Sequence, residues 1–306
     1  MATIDRTNIL KSPGTVEFDG ATMFSEDDIQ VTLIKELFDV QTSAFGRADR
    51  RVEGKRVEIT ITPKMWDNLD KLFPWATLQI GDVLYGATDK PAVITPRTGA
   101  PITVANCAVT SLAGIRLSAT QSILTSMTIT GLIANNAAPS ALASYLSAGG
   151  SGSATLSGLD LAKIPNRHYS AAWGATSGII GEQGFEVTFN MSTEPDVVDG
   201  IGTVNMRLTE LEAQATVTPV GMTEAQLLTM IGFDTGIGGS PAKNNLVITG
   251  EGSGAPIVTI NNALVQQAPY QYGPNANRVG QVQFESVRNI SSGALAALWE
   301  FGAAGP

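Results

Sequence analysis

The chain has 306 residues, of which 43% are hydrophobic and only 15% charged, and its formal net charge is −9. This length allows one large domain or two modules of ordinary size, and the low charge favours a protein that buries much of its surface against neighbours over an ordinary low-charge β-protein. The acidic balance argues against electrostatic nucleic-acid binding, which needs Lys and Arg to neutralise phosphates. Cys107 is the single cysteine, so an internal disulfide is excluded and we expect a small core residue there.

The first residues contain no apolar stretch of the signal-peptide kind, and no run of about 18 apolar residues occurs in the chain. We therefore expect a soluble protein that is made in the cytoplasm and does not bind membranes.

The first half predicts a sheet followed by a helix. Hydrophobic and polar residues alternate over residues 29–33 and 56–62, which predicts two strands with one buried and one polar face. The segment 37–51 between them is longer than a hairpin turn and is predicted to be a long loop. Pro63 can open a helix over residues 64–73, whose apolar residues fall on one face.

The rest of the first half predicts a second strand pair, residues 102–117 and 123–130, and a short apolar helix over residues 140–146. The second half predicts the same types of element in the same order. They are a strand over 185–189, a strand ending at 219, a helix over 223–231 with Thr223 as its N-cap, strands over 257–264 and 279–287, and a terminal helix over 292–301.

Five short segments of the first half recur in the second half at offsets of 153 to 156 residues. The pairs are 20–22 with 174–176, 29–33 with 185–189, 59–63 with 215–219, 101–102 with 256–257, and 141–143 with 294–296. Chance matches between β-rich segments would not keep order and spacing. We therefore predict an α+β, mainly antiparallel fold of two tandem β-sandwich or barrel modules, each with one or two short helices. The modules span residues 1–147 and 165–306, and a Gly/Ser-containing linker spans 148–164.

Several of these features resemble the major tail tube protein of long-tailed bacteriophages of the siphophage type, with an internally duplicated tube module. They are the Pro-Gly-Thr-Val segment at 13–16 with Asp19-Gly20, the long segment 37–51, and the Thr-Ile-Thr-Pro strand followed by a helix. The resemblance covers nearly the whole chain, twice. It implies strands that join a barrel closed across subunits, a homotrimeric ring with pseudo-sixfold symmetry, and rings that stack into a tube for DNA ejection.

The resemblance also implies a place in the virion tail after synthesis in the host cytoplasm. Its partners would be further copies of itself and other tail proteins, namely the tape measure, baseplate and terminator. DNA would pass through without specific binding, and no cofactor is expected.

The strand alternation places acidic and amide side chains on common faces, with residues 210, 212, 214 and 216 sharing one face and residues 281, 283 and 285 sharing another. We predict that such faces line the channel and repel DNA phosphates, although a solvated outer face remains the alternative. The predicted channel-lining residues are Gln30, Glu58, Glu186, Glu210, Glu212, Gln281, Gln283 and Glu285.

The long segment 37–51 contains several arginines and aromatic residues. In the family that this chain resembles, the corresponding loop reaches the next ring, which implies stacking contacts with acidic residues there. The predicted inter-ring residues are Phe45, Arg47, Arg50 and Arg51. The second half is expected to shorten and acidify this segment, at residues 193–199, so that opposite charges set the ring register.

No motif supports catalysis or metal binding, so we predict no catalytic residues, no metal site and no enzyme activity. His168 is the only histidine and has no nucleophile elbow to serve; the glycines at 250–254 indicate a turn and residues 26–28 a solvated acidic turn. Two alternatives stay open. One is a related tail terminator, baseplate or secretion-tube protein that stops at a single ring. The other is a two-module carbohydrate-binding or adhesive β-protein, which should expose aromatic side chains in a groove and stay monomeric.

Overall fold

The computed structural model describes residues 14–42, 46–65, 77–85, 90–96, 101–112, 114–120, 123–133, 167–198, 202–232, 236–252, 254–272, 277–288 and 297–303. These residues form strands that pair antiparallel throughout and one short helix. The predicted α+β, mainly antiparallel class is confirmed. The predicted helices over residues 64–73 and 140–146 and the predicted linker 148–164 lie outside the described residues, apart from residues 64 and 65.

The first half builds two four-stranded sheets, in the orders β2-β1-β5-β6 and β3-β4-β10-β7. Its strands are β1 (Gly14–Phe18), β2 (Ala21–Phe24), β3 (Gln30–Thr42), β4 (Gly46–Ile61), β5 (Ala92–Pro96), β6 (Ile102–Val104), β7 (Cys107–Leu112), β8 (Ile115–Leu117), β9 (Ile123–Leu124) and β10 (Met127–Ile133). The stretch 102–117, predicted as one strand, is three strands. It is interrupted at Asn106 and Gly114, whose φ angles of 49° and 150° do not fit an extended strand.

The second half builds a nine-stranded sheet, in the order β11-β14-β15-β18-β13-β12-β8-β9 with β19 on β15. The first strand of this order, β11, also pairs with β12, and β16 and β17 form a separate pair. Its elements are β11 (Tyr169–Trp173), β12 (Thr176–Val198), β13 (Gly202–Val220), α1 (Glu224–Ile231), β14 (Asn244–Gly250), β15 (Pro256–Gln267), β16 (Tyr270–Tyr272), β17 (Asn277–Val279), β18 (Val282–Ser286) and β19 (Trp299–Ala303). Two strands of this sheet, β8 and β9, come from the first half of the chain.

The helix α1 forms where the sequence predicts it because both of its ends carry capping residues. The Thr223 hydroxyl accepts a hydrogen bond from the Gln226 backbone N–H, and the Gln226 side chain accepts one from the Thr223 backbone N–H at 2.9 Å. This capping box satisfies two backbone donors that the first turn leaves free. Gly232 ends the helix in the left-handed conformation, and Leu227 and Met230 anchor its buried side.

The core is one hydrophobic cluster that runs through both halves. In β4, Val57, Ile59 and Ile61 are at most 1% exposed, as the alternation predicts. Burial of each such side chain contributes about 1.5–3 kcal/mol of transfer free energy. Leu33 is different, since it lies on the predicted apolar side of β3 but remains 51% exposed at the edge of its sheet. Cys107 is buried, as expected.

The predicted long loop at 37–51 is wrong, because β3 and β4 continue through it as the two arms of one hairpin. Register shifts between Glu36 and Leu37 and between Val40 and Gln41 break the two-residue alternation that identifies a strand in a sequence. The expected shortening at 193–199 is also wrong. The β12-β13 hairpin runs out to Val198 opposite Gly202, just as the first runs out to Thr42 opposite Gly46.

The predicted terminal helix over residues 292–301 is wrong at its end, where residues 299–303 form β19 against β15. Residues 292–296 lie outside the described residues. The run of alanines favours a helix, but Trp299 and Phe301 have high β propensity and an open strand edge beside them. The Trp299 ring packs on Phe189 at 4.6 Å between centroids and is 1% exposed.

The strand pairings of the first half recur in the second half at nearly constant offset. Val31 opposite Ile59 becomes Val187 opposite Ala215, displaced by 156 residues on both strands. The same holds, at 154 to 156 residues, for β4-β10 and β13-β18, for β1-β5 and β11-β14, and for β10-β7 and β18-β15. Such a match in register is what a duplicated module would produce.

Candidate functional site

The feature that joins the two halves is the segment from β7 to β8. Its first part, β7, pairs with β10, and its second part, β8, pairs with β12. Gly114 makes the change of direction possible, because a Cβ atom there would lie 2.6 Å from the carbonyl oxygen of Val187. The two halves thus present a single succession of strands, β3-β4-β10-β7/β8-β12-β13-β18-β15.

One face of this succession is polar in the second half. Residues that pair directly share a face, so Thr188, Gln214 and Glu285 form one row across β12, β13 and β18. Arg116, Glu186, Thr216 and Gln283 form the neighbouring row. The expectation of two separate faces for residues 210–216 and 281–285 is therefore wrong. The alternation in a sequence shows which residues of one strand share a side. Whether a side of β13 continues into a side of β18 depends on how the two strands are paired, which the sequence does not show.

The polar face of the second half carries a mixed set of contacts. Arg116 lies 3.8 Å from Glu186, and the Ser192 hydroxyl donates to the Glu210 carboxylate at 2.8 Å. Asn190 is opposite Glu212, which places that carboxylate on the same face. Gln281 lies just before β18, and together with Arg116, Glu186 and Thr216 it borders an open polar depression of about 150 Å³.

The opposite face of these strands is mainly apolar. Phe185, Val187, Ala215 and Phe284 are each at most 1% exposed and belong to the common core. Because that side packs against the rest of the protein, the polar side is the one that faces away from it.

In the first half, the equivalent face contains Gln30, Thr60 and Thr128 in one row and Thr32, Glu58 and Thr130 in the next. The Glu58 carboxylate is neutralised by Arg56, which donates a hydrogen bond to it at 3.0 Å. Arg56 also contacts Glu36. The end of the face near β7 is covered by Tyr85, which packs on Ala108 and Leu132. Only part of this half therefore presents an open polar surface.

The arginines predicted to reach another ring have partners within their own hairpin. Arg47 and Arg50 contact the Asp39 carboxylate at 2.8 and 2.7 Å, and Arg51 lies 3.7 Å from Asp49. The hydrogen bond from Arg50 is the main cause that lowers the pKa of Asp39 below its ordinary value. All three arginine side chains remain more than half exposed to solvent. Phe45 lies outside the described residues.

A second contact between the halves was missed by sequence reasoning. The segment 81–84 runs along β13, where the Gly81 N–H donates to Leu208 at 2.7 Å, Leu208 to Asp82 at 2.8 Å and Leu84 to Met206 at 2.9 Å. Val83 and Arg207 are the one pair of this segment that forms a β-bridge. The sequence of the segment does not alternate between apolar and polar residues, so nothing in it predicts a strand.

Within the described part of the chain, no three His, Cys, Asp or Glu side chains lie close enough to hold a metal ion. Burial raises the pKa of Tyr85 and Tyr169 and raises that of Cys107 to about 12. These groups therefore stay protonated near neutral pH, and each is surrounded by core side chains rather than by a cleft.

No protein-family model matches the chain, and a search of curated proteins finds no similar sequence. The helix in the described residues spans eight residues, and no helix there has the length and apolar character needed to cross a membrane.

Proposed function

We propose that this chain is a structural, non-enzymatic subunit of a bacteriophage tail tube, in which two copies of one module form part of a channel wall. Homotrimeric rings with pseudo-sixfold symmetry would stack into the tube, which guides DNA during ejection. The observation that carries the proposal is the recurrence of strand register between the halves, combined with the β8-β12 junction. A module that joins its own duplicate through a shared sheet has the means to join further copies.

The sheet supports this proposal because it is open at its β3 end. Each half contributes four equivalent strands, β3-β4-β10-β7 and β12-β13-β18-β15, and β3 has no partner on its outer side among the described residues. An exposed edge of thirteen residues is an association hazard for a monomer. Pairing of this edge with another subunit removes it, which is how barrels solve the problem.

The polar face supports a lumen rather than a binding groove. It is the side of the sheet that faces away from the core, and it carries the carboxylates of Glu186, Glu210, Glu212 and Glu285. Acidic side chains spread over a wall repel DNA phosphates and so disfavour retention of DNA in transit. No aromatic side chain lies in the paired rows of this face, whereas a carbohydrate-binding groove would need such side chains.

The proposal is tested by the mass of the purified protein in solution, measured by light scattering over rising concentration, together with negative-stain electron microscopy. We expect a trimer that converts into stacked rings with a central hole. Rings that never stack would support the terminator or baseplate alternative instead. A monomer at every concentration would contradict the tube proposal.

A further inference from the structure

The β16-β17 hairpin is the counterpart of β8-β9. In β8-β9, Ile115 lies opposite Leu124, and in β16-β17, Tyr270 lies opposite Val279, which displaces both strands by 155 residues. Each hairpin also follows directly on the strand that pairs with β10 or with its counterpart β18. The two hairpins therefore hold the same place in the two halves.

Their surroundings differ in one respect. The β8-β9 hairpin is attached to the outer edge of β12, where Ile115, Arg116 and Leu117 lie opposite Val187, Glu186 and Phe185. The β16-β17 hairpin forms a sheet of only two strands in the described part of the chain. The counterpart of β12 is β3, and among the described residues β3 has a strand partner on one side only and β16 pairs only with β17.

We infer that β16 of one subunit pairs antiparallel with the outer edge of β3 in a second copy of this chain. Transfer of the β8-β12 register gives Tyr270 opposite Val31, Gln271 opposite Gln30 and Tyr272 opposite Ile29. This inference rests on the proposed function, because it supplies the joint by which subunits would form the ring. The contact is heterologous, so repeating it builds a closed ring or an open helix.

Burial at the two edges agrees with this pairing. Phe185 and Val187, which pair with β8, are 1% and 0% exposed, whereas their counterparts Ile29 and Val31 are only half-buried. The counterparts of Arg116 and Glu186 are Gln271 and Gln30, so an uncharged pair of residues takes the place of the ion pair at the internal junction.

The contact of segment 81–84 with β13 also predicts a counterpart between subunits. The turn at residues 79–82 recurs at 236–239, with a hydrogen bond from the fourth residue to the first and a positive φ at Gly81 and Gly238. Leu208, which segment 81–84 covers, is 0% exposed, whereas its counterpart Val52 is 42% exposed. The segment after Gly238 would cover Val52 of the next subunit with one hydrogen bond fewer, since Pro241 replaces Leu84 and has no N–H.

Disulfide trapping tests the register. Directly opposed residues in an antiparallel pair have Cα atoms about 4.5–5.5 Å apart, which fits a disulfide. Oxidation of a mixture of Gln30→Cys and Gln271→Cys proteins should give a linked dimer, and the double variant should give linked dimers and trimers. Gln30→Cys with Arg278→Cys is the matched control, because β17 lies one strand further away, about 10 Å from β3, and should not link. The buried Cys107 can stay in all variants.

The outcomes separate this inference from the proposed function. An oligomeric wild-type protein with linkage at 30 and 271 but not at 30 and 278 supports the joint. An oligomeric wild-type protein without the 30–271 linkage overturns the joint and leaves the tube proposal standing. A monomeric wild-type protein without linkage overturns both. Hydrogen exchange of the unmodified protein gives an independent measure, since those amides of residues 29–31 that point away from β4 should exchange about tenfold more slowly in the assembled form.

Discussion

Arg116 lies 3.8 Å from Glu186, and the two belong to strands from different halves of the chain. Their backbones are paired in register, so the contact reports the junction at which the first half enters the sheet of the second. The ion pair itself is half-exposed and contributes at most about 1 kcal/mol. The apolar side of the same junction, where Leu117 and Phe185 are both 1% exposed, supplies most of its stability.

Gly114 should be the most sensitive position of this junction. A Gly114→Ala change places a Cβ atom 2.6 Å from the Val187 carbonyl oxygen and imposes a positive φ on a residue with a side chain. We expect the free energy of unfolding to fall by about 2–4 kcal/mol, measured by urea denaturation.

Gly178→Ala is the matched control, because Gly178 also has a positive φ but nothing within 4 Å of the added Cβ atom. This change should lower the free energy of unfolding by about 1 kcal/mol, the cost of a positive φ angle for a residue with a side chain. Equal losses for the two variants would show that the close approach of β8 to β12 contributes no stability.

Much of the sheet could be predicted from the sequence, because its central strands alternate without interruption. Val57, Ile59 and Ile61 identify both the strand and its buried side. The outer hairpin arms were predicted as loops because shifts of register at Leu37 and Gln41 interrupt the alternation. The junction could not be predicted, since β8 and β9 are too short to show a period and β12, the partner of β8 in the second half, lies about 70 residues further along the chain.

Thr223→Ala should weaken the start of α1. The change removes the hydroxyl that accepts from the Gln226 N–H, and such caps contribute about 1 kcal/mol. Thr223→Ser keeps the acceptor and should remain close to wild type in thermal unfolding. Thr229→Ala, in the same helix but outside the cap, is a second control. A loss at position 229 as large as that at 223 would contradict the role of the cap.

Asp39 should make the first hairpin acid-sensitive. Its pKa is below the ordinary 3.8 in the folded protein, chiefly because of the hydrogen bond from Arg50. The folded state therefore binds this proton less readily than the unfolded state, so the stabilisation is present above the ordinary pKa and is lost as the pH falls below it. The Asp39→Asn variant should lose less stability than wild type between pH 5 and pH 2.5, measured by urea midpoints at several pH values. Asp27→Asn, which removes an exposed carboxylate shortly before β3, is the control variant.

Reversing the charge of the polar face should change whether assembled tubes retain DNA. Glu210 and Glu212 lie on that face, opposite Ser192 and Asn190, and point away from the core. If the face lines a channel, the double change Glu210→Lys and Glu212→Lys replaces repulsion of phosphates by attraction without altering the apolar side of the sheet. We expect normal tubes that retain short DNA duplexes in sedimentation at low salt and release them as salt rises, because the attraction is screened. Glu251→Lys, in the turn after β14 and off this face, should retain much less DNA. Equal retention by the two proteins would place the polar face outside the channel.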